Sequence, residues 1–293
     1  MTKHYWKLGI LGYPLGYSLS PLMHQRALAH AKLRGEYKEY PVAADDLWDW
    51  LSRVGEMGLD GFNVTMPYKK SVFAWVVGEG RGRLGRVEAH DAQIGAINTV
   101  VLEDGHPIGY NTDGIGFLRS LAEPPHKIDL GGRSVLLLGA GGAAQAIAAT
   151  LAMATKTGRM TIWSRTPSHA ESLARLVNGI RSEKPLAQAA GDLSLVQVER
   201  YDLVVNATPV GMKSHPGTLL DASRLRAGQL VYDLVYEPRE TELIRSARER
   251  GCVTVTGDCM LAGQGAAAFE LWTGVKGMLP IMREALDEFF SAR

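Results

Sequence analysis

The stretch RSVLLLGAGGAAQAIAATLA, residues 133–152, limits the possible folds more than any other part of the chain. An apolar run ends in a glycine cluster, and a helix of small residues follows at once. Gly139, Gly141 and Ala144 fit the spacing G-x-G-x-x-[G/A] directly between the two. Gly139 permits a tight turn, Gly141 lets backbone amides approach a pyrophosphate, and the helix N-terminus supplies positive potential. The segment Gly139, Ala140, Gly141, Gly142, Ala143 and Ala144 is therefore a candidate dinucleotide cradle, although a turn that only packs a helix on a strand could use the same residues. The apolar segments RMTIWSRT, YDLVVNATPVGM, QLVYDLVYEP and GCVTVTGD recur after it at strand–helix spacing, as a Rossmann sheet requires.

In such folds an acidic residue about 20 positions on takes the ribose hydroxyls of NAD. The second strand instead ends in TIWSRT, which offers Ser164, Arg165 and Thr166 and no carboxylate. An arginine with two hydroxyls suits a 2′-phosphate through charge-assisted hydrogen bonds, so the pattern favours NADP.

The chain has 293 residues, more than one small core accommodates, and two domains are expected. Upstream of the Pro- and Gly-containing segment EPPHKIDLGG, YWKLGILGYP, GEYKEYPV and INTVVLEDG read as strands alternating with helices, implying a largely parallel α/β layer. One of those helices, DDLWDWLSRV, is read with Trp48 and Leu51 on one side. QGAAAFELW and the amphipathic VKGMLPIMREALDEFF read as closing helices.

A formal net charge of +1 supplies no field for nucleic acid or a membrane surface. The dense basic cluster Arg81, Arg83 and Arg86 is broken by glycines and reads as a solvated loop. Cys252 and Cys259 lack metal-type spacing and read as reduced structural thiols; no metal is expected. No apolar run approaches the ~20 residues of a membrane span, and a cytoplasmic protein is expected.

The stretch DGFNVTMPYKK, residues 60–70, is less ordinary. Alternation sets Phe62 and Val64 against Asn63 and Thr65, and Pro67 fits the first turn of a helix through Phe73 and Trp75. That puts Lys69 near a helix N-terminus, where the macrodipole disfavours a cation by roughly a few tenths to one kcal/mol. Other polar residues stand out as caps or ligands: Asp113 in NTDGIGF, Ser18 and Ser20 on one side of an extended GYSLS, and the amides Asn98 and Gln264 in apolar settings.

The ordered motifs GYPLGYSLSP, NVTMPYK, GAINT, GYNTDGIG, GAGGAA, NATPVGM and MLAGQGAAAF resemble the shikimate dehydrogenase family from about residue 9 to 274. The resemblance implies NADP-dependent reduction of 3-dehydroshikimate to shikimate in aromatic amino acid biosynthesis. By the family pattern Lys69 and Asp113 are the catalytic pair. Ser18 and Ser20 would hold the substrate carboxylate, while Asn63, Thr65, Asn98, Tyr236 and Gln264 would contact ring hydroxyls or order the lysine. The glycine turn and Ser164 to Thr166 would carry NADP, with Thr208, Leu234, Gly257 and Met260 on the nicotinamide side. Ser164, His169 and Pro209 stand where the family more often has Asn, Arg and Ser.

The implied architecture is an α/β substrate-binding domain over residues 1–112, a Rossmann NADP-binding domain over 113–256, and C-terminal helices over 257–293 returning to the first domain. The expected partner is a small-molecule substrate, with no nucleic acid and no membrane, in a monomer or homodimer. Quinate or aminoshikimate dehydrogenases are the near alternatives, and a noncatalytic NADP-binding regulator the remote one. Hydride addition to a ketone leaves negative charge on oxygen, and an ammonium at Lys69 would stabilise it and supply a proton.

Overall fold

The computed structural model describes residues 4–16, 18–78, 85–122, 124, 126–154, 156–181 and 185–292. The chain forms two compact units, one of Met1–Gly116 with Ala262–Arg293 and one of Phe117–Leu261. These divisions fall a few residues later than the 112/113 and 256/257 boundaries drawn from the sequence, because each lies inside a helix.

In the first unit the described elements are β1 (Tyr5–Gly12), α1 (Ser20–His30), β2 (Arg34–Pro41), α2 (Leu47–Arg53), β3 (Gly61–Val64), α3 (Lys69–Val76), β4 (Arg86–Val87), α4 (Ala89–Ile94), β5 (Thr99–Glu103), β6 (His106–Tyr110) and the start of α5 (Asp113–Ala122). The sheet order is β2-β1-β3-β5-β6-β4. It is mixed rather than largely parallel: β1 is parallel to β2 and β3, but β5 is antiparallel to β3 and β6. The β5–β6 reversal is made by a tight hairpin at Asp104 and Gly105, both at positive φ (50° and 75°), which pairs Glu103 with His106.

Two local expectations also change. On α2 the buried face is Leu47, Trp50 and Leu51, continued at helical spacing by Val54 just past its end, and Trp48 is left 39% exposed. Pro67 lies before α3, in a turn closed by Tyr68 N–H to Thr65 O at 3.0 Å, so Lys69 is the first helical residue. The buried Tyr68 ring anchors that start, its hydroxyl donating to Val42 O at 2.7 Å. Arg81 and Arg83 lie outside the described residues; Arg86 is exposed, within 3.8 Å of Glu103.

The second unit continues with β7 (Ser134–Leu138), α6 (Gly142–Ala154), β8 (Arg159–Trp163), α7 (Pro167–Ile180), β9 (Ala187–Ala190), β10 (Leu203–Asn206), β11 (Leu230–Asp233), α8 (Glu242–Glu249), β12 (Val253–Val255) and the start of α9 (Gly257–Thr273). All its strand pairs are parallel, in the order β12-β11-β10-β7-β8-β9. Read from β9, this is the doubly wound order 3-2-1-4-5-6, whose direction reverses between β7 and β10. Buried Val135, Leu137, Ile147, Ile162, Val205 and Tyr232 share its core. α9 starts at Gly257, ahead of the segment read from Gln264, and leads into α10 (Leu279–Ser291) of the first unit. Among the described residues no helix is long and apolar enough to cross a membrane.

Candidate active site

Because β5 runs against β3 and β6, its first residues lie beside the last residues of both, with Asn63 opposite Thr99 and Thr99 opposite Tyr110. The polar residues of the first unit meet there. Asn63 Nδ2 donates to Thr99 Oγ1 at 3.0 Å and to Asn98 O at 3.2 Å, and Asn63 Oδ1 accepts from the Tyr37 hydroxyl at 2.7 Å. Both Asn63 amide protons are thus used inside the protein. Asn98 Nδ2 faces Asp113 Oδ1 at 2.9 Å, Thr112 Oγ1 at 3.0 Å and Gln264 Oε1 at 3.3 Å, while Asn98 Oδ1 accepts from Thr112 N at 2.7 Å. Gln264 comes this close because α5 and α9 touch through glycines: a Cβ on Gly116 would lie 2.5 Å from Gln264 N.

Lys69 Nζ forms an ion pair with Asp113 Oδ2, and the two side chains are only 17% and 7% exposed. Asp113 opens α5, where a negative side chain suits the helix dipole, and Asn111 closes the turn before it by accepting from Asp113 N at 3.1 Å. The lysine at the unfavourable end of α3 therefore has a carboxylate that offsets the dipole. Its own carbonyl accepts from Ile97 N at 3.1 Å, tying α3 to the segment that leads into β5.

Thr65 packs its methyl against Gly12, where a Cβ would come within 2.4 Å of Thr65 Cγ2. Ser18 and Ser20 do not share an extended segment: Ser20 is the first, buried residue of α1, and Ser20 N donates to Ser18 Oγ at 3.3 Å. Pro21 in the first turn draws the helix back to Ser20. Tyr236 belongs to the second unit, on the segment after β11. Tyr37, Thr99, Asn111 and Thr112 join the network although they escaped the sequence reading. Thr99 lies in GAINT and Thr112 in GYNTDGIG, whereas nothing in GEYKEYPV singles out Tyr37.

The second unit carries the residues read from the sequence as the cofactor set. Gly139, at φ +113°, follows β7, and a Cβ there would lie 2.8 Å from Ala207 O, so the turn itself demands glycine. Gly141 is different: its Cβ would meet nothing within 4 Å. Packing does not require that glycine, and the open space beside the start of α6 is what a pyrophosphate needs. Ala144 is buried in the core and allows α6 to sit close to the sheet. Ser164, Arg165 and Thr166 follow β8; Thr166 N donates to Ser164 Oγ at 3.4 Å, and Arg165 is exposed with no partner among the described residues. Thr208 follows β10, and Gly257 is required by Leu234, whose carbonyl oxygen would be 2.2 Å from a Cβ. Met260 is mostly buried in the unit's core. The residues present fit NADP: an open glycine turn, a helix start and an unpaired arginine at the second strand's end. Among the described residues, no His, Cys, Asp and Glu cluster could hold a metal ion.

A Rossmann unit joined to an α/β unit with a buried lysine–carboxylate pair defines a dinucleotide-dependent oxidoreductase. Residues 10–100 match the family model of the shikimate dehydrogenase substrate binding domain, and residues 260–286 that of the shikimate 5′-dehydrogenase C-terminal domain. Residues 135–215 match the saccharopine dehydrogenase NADP binding domain. The NADP+ shikimate dehydrogenase of Moorella thermoacetica is 41% identical over 97% of this chain and 94% of its own length. The structure of shikimate 5-dehydrogenase from Thermus thermophilus in complex with NADP(H) and shikimate is 35% identical, with a TM-score of 0.84 and coverage of 97% of this chain and 99% of that one. Quinate dehydrogenase from Corynebacterium glutamicum in complex with NAD is 33% identical, also at a TM-score of 0.84, covering 97% and 99%. The chain belongs to the shikimate dehydrogenase family.

Proposed function

We propose that this protein catalyses the reversible NADP-dependent reduction of 3-dehydroshikimate to shikimate in the cytoplasm, as a step toward aromatic amino acids. The observation that carries the reading is the Lys69–Asp113 pair, buried and braced by Asn98 in a chain of this family. NADPH, when bound, supplies the hydride that adds to the ketone carbon. Lys69 meets the ketone oxygen, stabilises the charge that develops there and gives it a proton. Asp113 holds the lysine in place, and Asn98 holds Asp113. Ser18 and Ser20 take the substrate carboxylate, while Asn63, Thr65, Asn98, Tyr236 and Gln264 serve the ring hydroxyls or the order of the lysine. The glycine turn carries the pyrophosphate, Ser164, Arg165 and Thr166 the 2′-phosphate, and Thr208, Leu234, Gly257 and Met260 the nicotinamide side. On this reading residues 1–112 and 257–293 serve the substrate and 113–256 the cofactor, in a monomer or homodimer.

Lys69→Ala should cut turnover a hundredfold or more while shikimate affinity changes far less. Turnover within about tenfold of the parent, a loss of only ~1.4 kcal/mol, would rule out the catalytic assignment. A quinate reading is favoured by the similarity to quinate dehydrogenase. Assaying both substrates with both cofactors separates the two, and shikimate with NADP+ should give the highest kcat/KM.

A further inference from the structure

Asp233 ends β11 fully buried, and no arginine or lysine pairs with it among the described hydrogen bonds. Its carboxylate instead ties three segments together. Oδ2 accepts from the Thr241 hydroxyl at 2.6 Å, and Oδ1 accepts from Val235 N at 3.0 Å and from Asn206 Nδ2 at 2.9 Å. Asn206 Nδ2 also donates to Val210 O at 2.9 Å. Two acceptors on that side fix which way the amide faces, so Asn206 Oδ1 must point to Thr208. It accepts there from Thr208 N at 3.1 Å and from Thr208 Oγ1 at 2.6 Å. The Thr208 proton is thereby committed inward, and its oxygen accepts from Val210 N at 3.2 Å. One lone pair of a half-buried hydroxyl remains. It stands beside the glycine turn, since a Cβ on Gly139 would lie 3.1 Å from Thr208 Cγ2.

We propose that Asp233 is a positioning residue for the cofactor: through Asn206 it fixes the Thr208 hydroxyl as an acceptor for a hydrogen-bond donor on the nicotinamide half of NADP. This rests on the cofactor reading above. Burial pushes the Asp233 carboxyl up to about 6, with the Thr241, Val235 and Asn206 hydrogen bonds opposing, so at pH 8 it is an ionised, acceptor-only group.

Calorimetric titration of NADP+ at pH 8, without substrate, tests this directly. Asp233→Asn, which lets the Asn206 amide turn round, and Thr208→Val should each weaken binding about tenfold. The double variant should be no weaker than Thr208→Val alone, and Thr208→Ser should restore parental affinity. The shikimate KM should stay at the parental value in Thr208→Val. Should Asp233→Asn fail to fold, Asn206→Ala takes its place in the same cycle. Parental affinity in Thr208→Val, or losses that simply add in the double variant, would overturn the proposal while leaving the enzymatic reading intact. A parent that does not bind NADP+ at all would remove both. The 3-acetylpyridine analogue, which lacks the carboxamide N–H, identifies the donor: if Thr208→Val no longer discriminates with it, the donor is the carboxamide, and if it still does, a ribose hydroxyl.

Discussion

The two units hold their candidate functional groups in opposite states. In the first, Lys69, Asp113, Asn98, Asn63 and Tyr37 are bonded to one another and largely shut away from water. In the second, Arg165 is exposed without a partner among the described residues and Gly141 faces open space. A network satisfied in advance suits chemistry, because charge that appears on a substrate meets groups that need little reorganisation. An open set suits binding, because its unsatisfied charge is answered only by the ligand. Substitutions should therefore act on turnover in the first unit and on affinity in the second.

The largest effect should come from breaking the satisfied network. Asp113→Asn keeps the shape but removes the negative charge and leaves one carbonyl oxygen, for which the two donors Lys69 Nζ and Asn98 Nδ2 must compete. Turnover should fall at least a hundredfold, with the Michaelis constant for NADP+ within about threefold of the parent. A loss confined to NADP+ affinity would erase the distinction between the units.

Acid should separate them next. His24 on α1 is fully buried, stacked on Tyr37 with ring centroids 4.3 Å apart, and among the described residues neither ring nitrogen has a hydrogen-bond partner. Desolvation pushes it down to about 3, against the opposing pull of the nearby Asn63 side chain. A group that binds its proton less readily when folded stabilises above its ordinary value of 6.5, and that contribution is lost as pH falls toward 3. Asp233 has the opposite sign: raised from 3.8 to about 6, it favours the fold most below 3.8, and that contribution is lost as pH rises through 6. Each slope reaches at most about 1.4 kcal/mol per pH unit. Hydrogen exchange between pH 7 and pH 4.5 should thus loosen the first unit more than the second, and His24→Phe should flatten the first unit's response. Equal loosening of both units in the parent would contradict the assignment.

How much of this could be read from sequence follows the same divide. The Rossmann unit was legible because its signals are local: an apolar strand, glycines at fixed spacing and a small-residue helix are contiguous between residues 134 and 154. The first unit depends on contacts that sequence order hides. The Asp104–Gly105 hairpin that turns β5 back into β6 carries a recognisable turn signature, but INTVVLEDG reads as one continuous strand that ends at it. Motif resemblance could pick out Lys69 and Asp113, separated by 44 positions, but not the partners that brace them. Tyr37 had no such help, since a tyrosine in a strand looks the same whether it fills a core or orients an amide.

Arg165→Ala sharpens the comparison from the open side. A charge-assisted hydrogen bond is worth roughly 1.5–3 kcal/mol, so the Michaelis constant for NADP+ should rise ten- to hundredfold. NAD+ has no 2′-phosphate, and its constant should move less than threefold, as should turnover with saturating NADP+. Equal rises for both cofactors would remove Arg165 from that role.

The smallest change asks whether the glycine turn is built for folding or for ligand, and its two glycines answer differently. At Gly139 both the positive φ and the Ala207 carbonyl exclude a side chain, so alanine there should cost stability and report nothing about binding. At Gly141 neither constraint applies, and alanine should leave stability unchanged or raise it by about 0.4–1 kcal/mol by restricting the unfolded chain. The added methyl would instead occupy the space a pyrophosphate takes beside α6, so NADP+ affinity should fall while the melting temperature holds or rises. A Gly141→Ala variant that binds NADP+ as tightly as the parent would mean that the phosphates lie elsewhere. One that melts early would mean that this glycine serves the fold, and the second unit's site would then be less open than its geometry indicates.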